Sequence, residues 1–172
     1  MRTFAFLLSS MLLLGANSVW AQKESPSAET PLSPRKAYIA TYAKWATKEM
    51  KRTGIPASIT LAQGILESGN GQSRLATEGN NHFGIKCHEG WKGKTMFVHD
   101  DKPDECFRVY RDPRQSYKDH SEFLLSRSRY DGLFILDPRD YAGWARGLKA
   151  AGYATSPTYA EKLIQIIEEE EL

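Results

Sequence analysis

Residues 80–110 interrupt the pattern that governs the rest of this chain. On either side apolar residues recur at helical spacing, while inside it glycines, turn formers and short alternating runs take over. Before the break, residues 35–52 carry Ile39, Ala43, Ala46 and Met50 as one stripe, with Tyr42 and Trp45 beside it. Ser33-Pro34 forms a cap and first-turn proline, and Gly54 closes the helix. A second helix starts at Pro56, buries Ile59, Ala62, Ile65 and Leu66, and stops at Gly69 and Gly71. After the break three Asp/Ser-Pro caps introduce three more helices. Asp112-Pro113 precedes Tyr117, Ser121 and Leu124. Asp137-Pro138 precedes Tyr141, Trp144, Ala145 and Leu148. Ser156-Pro157 precedes Ala160, Leu163, Ile164 and Ile167. Within the break, residues 95–99 and 106–110 read as an antiparallel pair joined through Lys102-Pro103-Asp104. The expected fold is mainly α (α+β): a helical body with a small antiparallel β lobe, and a polymer-sized cleft where the two meet.

The ends of the chain bear on where it works. Arg2, an apolar run over residues 4–14 and small residues leading to Val19-Trp20-Ala21 have the form of a secretory signal, with cleavage expected after Ala21. The run is shorter than the roughly 20 apolar residues a bilayer span needs. No cysteine sits there to carry a lipid. The reading divides the chain into a signal peptide (1–21), a flexible lead-in rich in Lys, Glu, Ser and Pro (22–34) and one folded domain (35–172). The net charge of +2 falls to +1 once Arg2 is removed, which gives no reason to expect nucleic acid. Periplasmic, extracellular or wall-associated protein is expected, with no membrane span after signal removal, and a monomer. In an oxidising compartment Cys87 and Cys106 read as a disulfide closing one loop-rich segment. His82, His88 and His99 lie nearby at spacings that match no common zinc site, so no metal is expected.

Glu67 is the residue with the most chemical content. It lies in the last turn of an apolar helix, where desolvation and the helix C-terminal dipole both disfavour a negative charge and push a carboxyl pKa upward. A carboxylic acid protonated near neutral pH can donate to a glycosidic oxygen. On residues alone a surface glutamate at a frayed helix end fits as well.

The surrounding motif separates these alternatives. Residues 62–73, Ala-Gln-Gly-Ile-Leu-Glu-Ser-Gly-Asn-Gly-Gln-Ser, resemble the signature of the glycoside hydrolase family 73 glucosaminidases, which include autolysins and flagellar-rod peptidoglycan hydrolases. The resemblance continues in order through Asn81-His82-Phe83-Gly84-Ile85-Lys86, Phe107-Arg108-Val109-Tyr110, and Ala151-Gly152-Tyr153-Ala154-Thr155-Ser156-Pro157 with Tyr159-Ala160. His82 departs from it, standing where leucine is frequent. The resemblance implies a lysozyme-like fold, an endo-β-N-acetylglucosaminidase acting on peptidoglycan glycan strands, Glu67 as the catalytic acid, and no cofactor. A second acid, where the family uses one, would lie in the β lobe; Asp100, Asp101 and Glu105 are the candidates, Asp104 standing beside them. A solvated charged turn is the alternative for that cluster, and the substrate's acetamido group could replace a protein nucleophile.

Flat side chains are the natural partners of sugar rings. The resemblance places a substrate-side tyrosine at Tyr153. Trp91, between Gly90 and Lys92, either lines the groove or covers the β lobe. Asn81 and Phe83 match the Asn-x-Phe-Gly turn and are assigned to the substrate-binding set beside Tyr153 and Trp91; the alternatives are an amide that only holds the turn and a ring that packs under the cleft. Trp45 and Trp144 follow helical stripes and are expected in the core, and His120 on a helix face is expected at the surface or as a satisfied core residue. Two rival readings remain: a lytic transglycosylase or muramidase of the same fold, and a non-catalytic glycan-binding module.

Overall fold

A computed structural model describes residues 31–99 and 103–172. The expected signal peptide, most of the lead-in, and Asp100 and Asp101 lie outside these residues. Helix α1 (Pro34–Thr53) begins where Ser33 Oγ accepts from the Lys36 amide at 3.3 Å, and ends at Gly54 in the left-handed region, φ 82°. Its buried face is turned from the expected stripe. Tyr38, Ala46 and Glu49 are the buried residues, whereas Ile39, Ala43, Met50 and Trp45 are half-buried. Glu49 tolerates burial because Arg52 donates two hydrogen bonds to its carboxylate, at 2.6 and 2.9 Å.

Helix α2 (Ala57–Ser68) runs through the middle of the body, against α1 on one side and the two C-terminal helices on the other. It is buried almost all round: Ile59, Ala62 and Ile65 as expected, and also Thr60, Leu61, Gln63 and Gly64, while Leu66 is half-buried. Gly64 is needed for this packing. A Cβ there would lie 2.4 Å from the Tyr38 hydroxyl, which instead bonds Tyr117 Oη at 2.9 Å and His82 Nδ1 at 3.1 Å. A short helix not foreseen from the periodicity, α3 (Arg74–Gly79), follows; six residues are too few to display a helical stripe.

Strands β1 (Thr95–Val98) and β2 (Glu105–Arg108) pair antiparallel, Thr95 opposite Arg108 and Val98 opposite Glu105. Cys87 and Cys106 are joined by a disulfide, with Cα atoms 5.3 Å apart. Helix α4 (Pro113–Leu125) starts at the expected Asp112 cap and buries Tyr117, Ser121 and Leu124. A 3-10 helix (Ser128–Ile135), also unforeseen, leads to α5 (Tyr141–Ala150) and α6 (Tyr159–Glu169). Two expected caps are corrected. Asp137 accepts from the Arg139 amide in a turn, and Asp140 caps α5 through Gly143. Ser156 stands outside α6, whose first flanking residue is Thr158 with no side-chain cap. An Asp-Pro or Ser-Pro pair is as good a turn as a helix start, and here the apolar stripes set the starts. Trp144 is 1% exposed, in the core as expected. Among the described residues no helix is long and apolar enough to cross a membrane.

Two histidines are sealed in this core. His82 lies against Tyr38 and Tyr42, and His120 stacks on Phe83 with centroids 4.0 Å apart. Burial lowers the pKa of His82 to about 4 and of His120 to about 3, so both are neutral when folded. In the unfolded chain they protonate below about pH 6.5, so there the unfolded state holds more protons and stability rises with pH. Each contributes a slope of up to about 1.4 kcal/mol per pH unit. The melting temperature is expected to fall as pH drops from about 6.5 to 5, above the range where ordinary carboxylates titrate. His120→Gln should flatten that slope; thermal melts of equal steepness in both proteins would contradict the assignment.

Candidate active site

The C-terminus of α2 builds the site. Ser68 Oγ donates to the Gly64 carbonyl at 2.5 Å and accepts from the Gly71 amide at 2.7 Å, locking the turn that follows Glu67. Gly69, Asn70 and Gly71 all adopt positive φ, a run that a Gly-Asn-Gly sequence tolerates. The turn therefore leaves Glu67 half-buried at the mouth of the helix, lining a cleft of about 410 Å³. Phe83, Gly84 and Ile85 line the cleft beside it. Lys86, His88, Val98, His99 and Phe107 contribute from the β lobe, and Phe123, Tyr153, Ala154 and Thr155 from the helical body.

Glu67 is held from α6. The Tyr159 hydroxyl donates to Glu67 Oε1 at 3.0 Å and accepts from Gln63 Nε2 at 2.9 Å. Gln63 sits one helical turn before Glu67, so both face the same side of α2. Tyr153 stacks on Tyr159 with centroids 5.7 Å apart and rings 22° from parallel. Burial, and then the neighbouring Glu67 carboxylate, push the Tyr153 hydroxyl well above the usual phenol range. Neither Gln63 nor Tyr159 was singled out for the site from sequence. A glutamine four residues before the acid was a signal available for Gln63; Tyr159 had none beyond its place in a motif.

The other candidates separate. Tyr153 and Phe83 line the cleft. Asn81, assigned to substrate contact, is instead 1% exposed and occupied by backbone. Its Oδ1 accepts from the Ile85 amide at 3.0 Å, and its Nδ2 donates to the Ile85 and Arg108 carbonyls at 3.0 and 2.9 Å. It ties the Phe83 turn to β2, which is the turn-holding role. Trp91 lies under the Arg108 guanidinium, 4.6 Å from its ring centre, and edge-on to Tyr110. It covers the β lobe and is not among the residues lining the cleft. Glu105 accepts from Lys86 Nζ at 2.8 Å and is not among the residues lining the cleft. Among the described residues no group of His, Cys, Asp and Glu is arranged to hold a metal.

A carboxylate at the head of an interlobe cleft, on a helical body with a two-stranded lobe, defines a lysozyme-like domain. The chain belongs to the glucosaminidase family: the family model described as mannosyl-glycoprotein endo-beta-N-acetylglucosaminidase matches residues 43–172. It is 33% identical over 141 residues to the peptidoglycan hydrolase FlgJ of Vibrio parahaemolyticus, covering 76% of this chain and 46% of that protein. It is 34% identical to the exo-glucosaminidase LytG of Bacillus subtilis, covering 67% of this chain and 44% of that protein. The chain thus spans about half the length of the curated relatives it matches. The glycoside hydrolase domain of Salmonella typhimurium FlgJ superposes with a TM-score of 0.67 at 31% identity, over 80% of this chain and 88% of that one. A peptidoglycan hydrolase from Sphingomonas sp. A1 gives 0.68 at 31% identity, over 77% and 86%.

Proposed function

We propose that this protein is an exported peptidoglycan hydrolase, an endo-β-N-acetylglucosaminidase that cuts the glycan strand after N-acetylglucosamine with Glu67 as general acid. The observation that carries the reading is the placement of Glu67: a half-buried carboxyl at the cleft, oriented by Tyr159 and Gln63. The relatives named for peptidoglycan hydrolysis and glucosaminidase action supply the substrate class. Glu67 delivers its proton to the departing glycosidic oxygen as the bond to the anomeric carbon breaks, and water completes the hydrolysis. Tyr153, half-buried in the cleft wall, offers its ring to a sugar face, while Phe83, 3% exposed and stacked on His120, packs under the cleft. The group that supports the anomeric carbon is either a β-lobe carboxylate or the substrate's own acetamido oxygen. Export through the signal over residues 1–21 puts the enzyme on the same side of the membrane as its substrate.

End-group analysis of digested glycan tests the assignment. Reducing-end N-acetylglucosamine on oligosaccharides is expected. Anhydro-muramoyl ends mean a lytic transglycosylase, reducing muramic acid a muramidase, released single sugars an exo-acting enzyme, and intact strands a binding module.

Tyr159→Phe keeps the ring and removes the hydroxyl that holds Glu67. A hydrogen bond to a charged group is worth about 1.5–3 kcal/mol, so kcat should fall about tenfold or more while KM changes little. A loss confined to KM would place Tyr159 in substrate binding instead.

A further inference from the structure

The cleft borders a positive corner whose two arginines have no ion pair among the described residues. Phe123, which lines the cleft, carries the Arg127 guanidinium 3.6 Å from its ring centre. Arg127 Nη1 donates to the Phe123 carbonyl at 3.0 Å and to Ser126 Oγ at 3.2 Å, so the group is anchored. Arg129 lies over the Tyr130 ring at 4.7 Å, and Tyr130 sits 6.0 Å from Phe123 and 6.4 Å from Tyr153. The two cations therefore rest on an aromatic set continuous with the cleft wall. Other cations of this region have carboxylate partners: Arg108 pairs with Asp119 at 2.8 Å, and Lys86 with Glu105 at 2.8 Å. Among the described residues Arg127 and Arg129 have no ion pair. They are close enough to be felt. Burial first, then Arg129, lowers Arg127, and the cleft-lining His88 is lowered by burial and then by Arg127 and Arg108, with Asp119 opposing. Like charges held together cost stability unless an anion joins them.

We propose that Arg127 and Arg129 form a carboxylate-binding subsite at this end of the cleft, which receives the acidic peptide that peptidoglycan carries on its lactyl-bearing sugar. The inference rests on the cleft being a peptidoglycan site and adds a direction to it: the peptide-bearing sugar lies towards Phe123 and His88. Guanidinium groups suit this task because they remain charged and present paired donors to a carboxylate. The aromatic rings beneath them limit their freedom, so less entropy is lost when the anion arrives.

Binding rather than cleavage tests it, in the full chain carrying Glu67→Gln. Soluble uncrosslinked glycan strands with their peptides are compared with the same strands stripped by an amidase. Adding Arg127→Gln and Arg129→Gln should weaken binding to peptide-bearing strands about tenfold, the scale of one charge-assisted hydrogen bond. Binding to stripped strands should be unchanged. Arg127→Lys with Arg129→Lys, which keeps the charge, should recover part of the loss and serves as the folding control. Equal weakening on both kinds of strand, or none on either, overturns the subsite. The comparison does not depend on which glycosidic bond is cut, so a failed end-group analysis and a failed subsite are told apart.

Discussion

Glu67→Gln is expected to fold as the parent does and to lose nearly all wall-cleaving activity. Glutamine keeps the shape of the side chain and can still accept from the Tyr159 hydroxyl, which lies 3.0 Å from Glu67 Oε1. It has no proton to give to the leaving oxygen. General acid catalysis is worth about 10²–10⁴-fold, and the loss should reach that range. A glutamate that merely closed the end of α2 would be replaced by glutamine at little cost, so unchanged melting with activity reduced less than about tenfold would remove Glu67 from the acid's role. Asp100→Asn, Asp101→Asn and Glu105→Gln in the same assay address the second role. One of them matching Glu67 indicates a protein base or nucleophile in the β lobe. Three silent substitutions favour attack by the substrate's acetamido group. The Glu105 result has a second component, because that substitution also removes the charge Lys86 is paired with.

Replacing Cys87 and Cys106 together by serine should cost about 3 kcal/mol, the chain-entropy value for a loop of similar length to this one, in which 19 positions separate the cysteines. For a domain of this size that corresponds to a melting temperature lower by roughly 10 °C. The loop contains β1, and the bond sits beside the pairing of Cys87 N–H with the Cys106 carbonyl at 2.8 Å and the Lys86–Phe107 bridge. Lys86, Val98, His99 and Phe107 form the β-lobe wall of the cleft, so activity should fall with stability and more steeply on heating. Thermal melts with and without reductant check this. A reductant-insensitive melting temperature, or two free thiols in peptide mapping of exported protein, would contradict it.

Much of the architecture was legible because its signals are local. Ser33, Gly54, Gly69 and Asp112 act within four residues of themselves, through caps and left-handed turns, and each ends or starts the helix expected of it. The break at residues 80–110 announced the β lobe, since a two-residue period cannot continue a helical stripe. The misplacements share one cause. Asp137 and Ser156 were read as caps because their proline neighbours suit a helix start, yet the same pairs make turns, and the packing of α5 and α6 against α2 chose between the two.

The residue order by itself determined that Glu67 stands in the last turn of a buried helix, before a glycine-rich turn that exposes it, and that the two cysteines bracket the strand-forming segment. Local hydrogen bonds and apolar periodicity suffice for that. Only the tertiary structure decided what Glu67 meets. Tyr159 lies 92 positions away in sequence and reaches it because α6 packs on α2. The closure of the β lobe likewise turned Asn81 inward to clamp the Ile85 and Arg108 backbone, and laid Trp91 on Arg108 away from the cleft. Which face a side chain presents is settled by the layer that covers it, and that layer comes from segments no local signal connects.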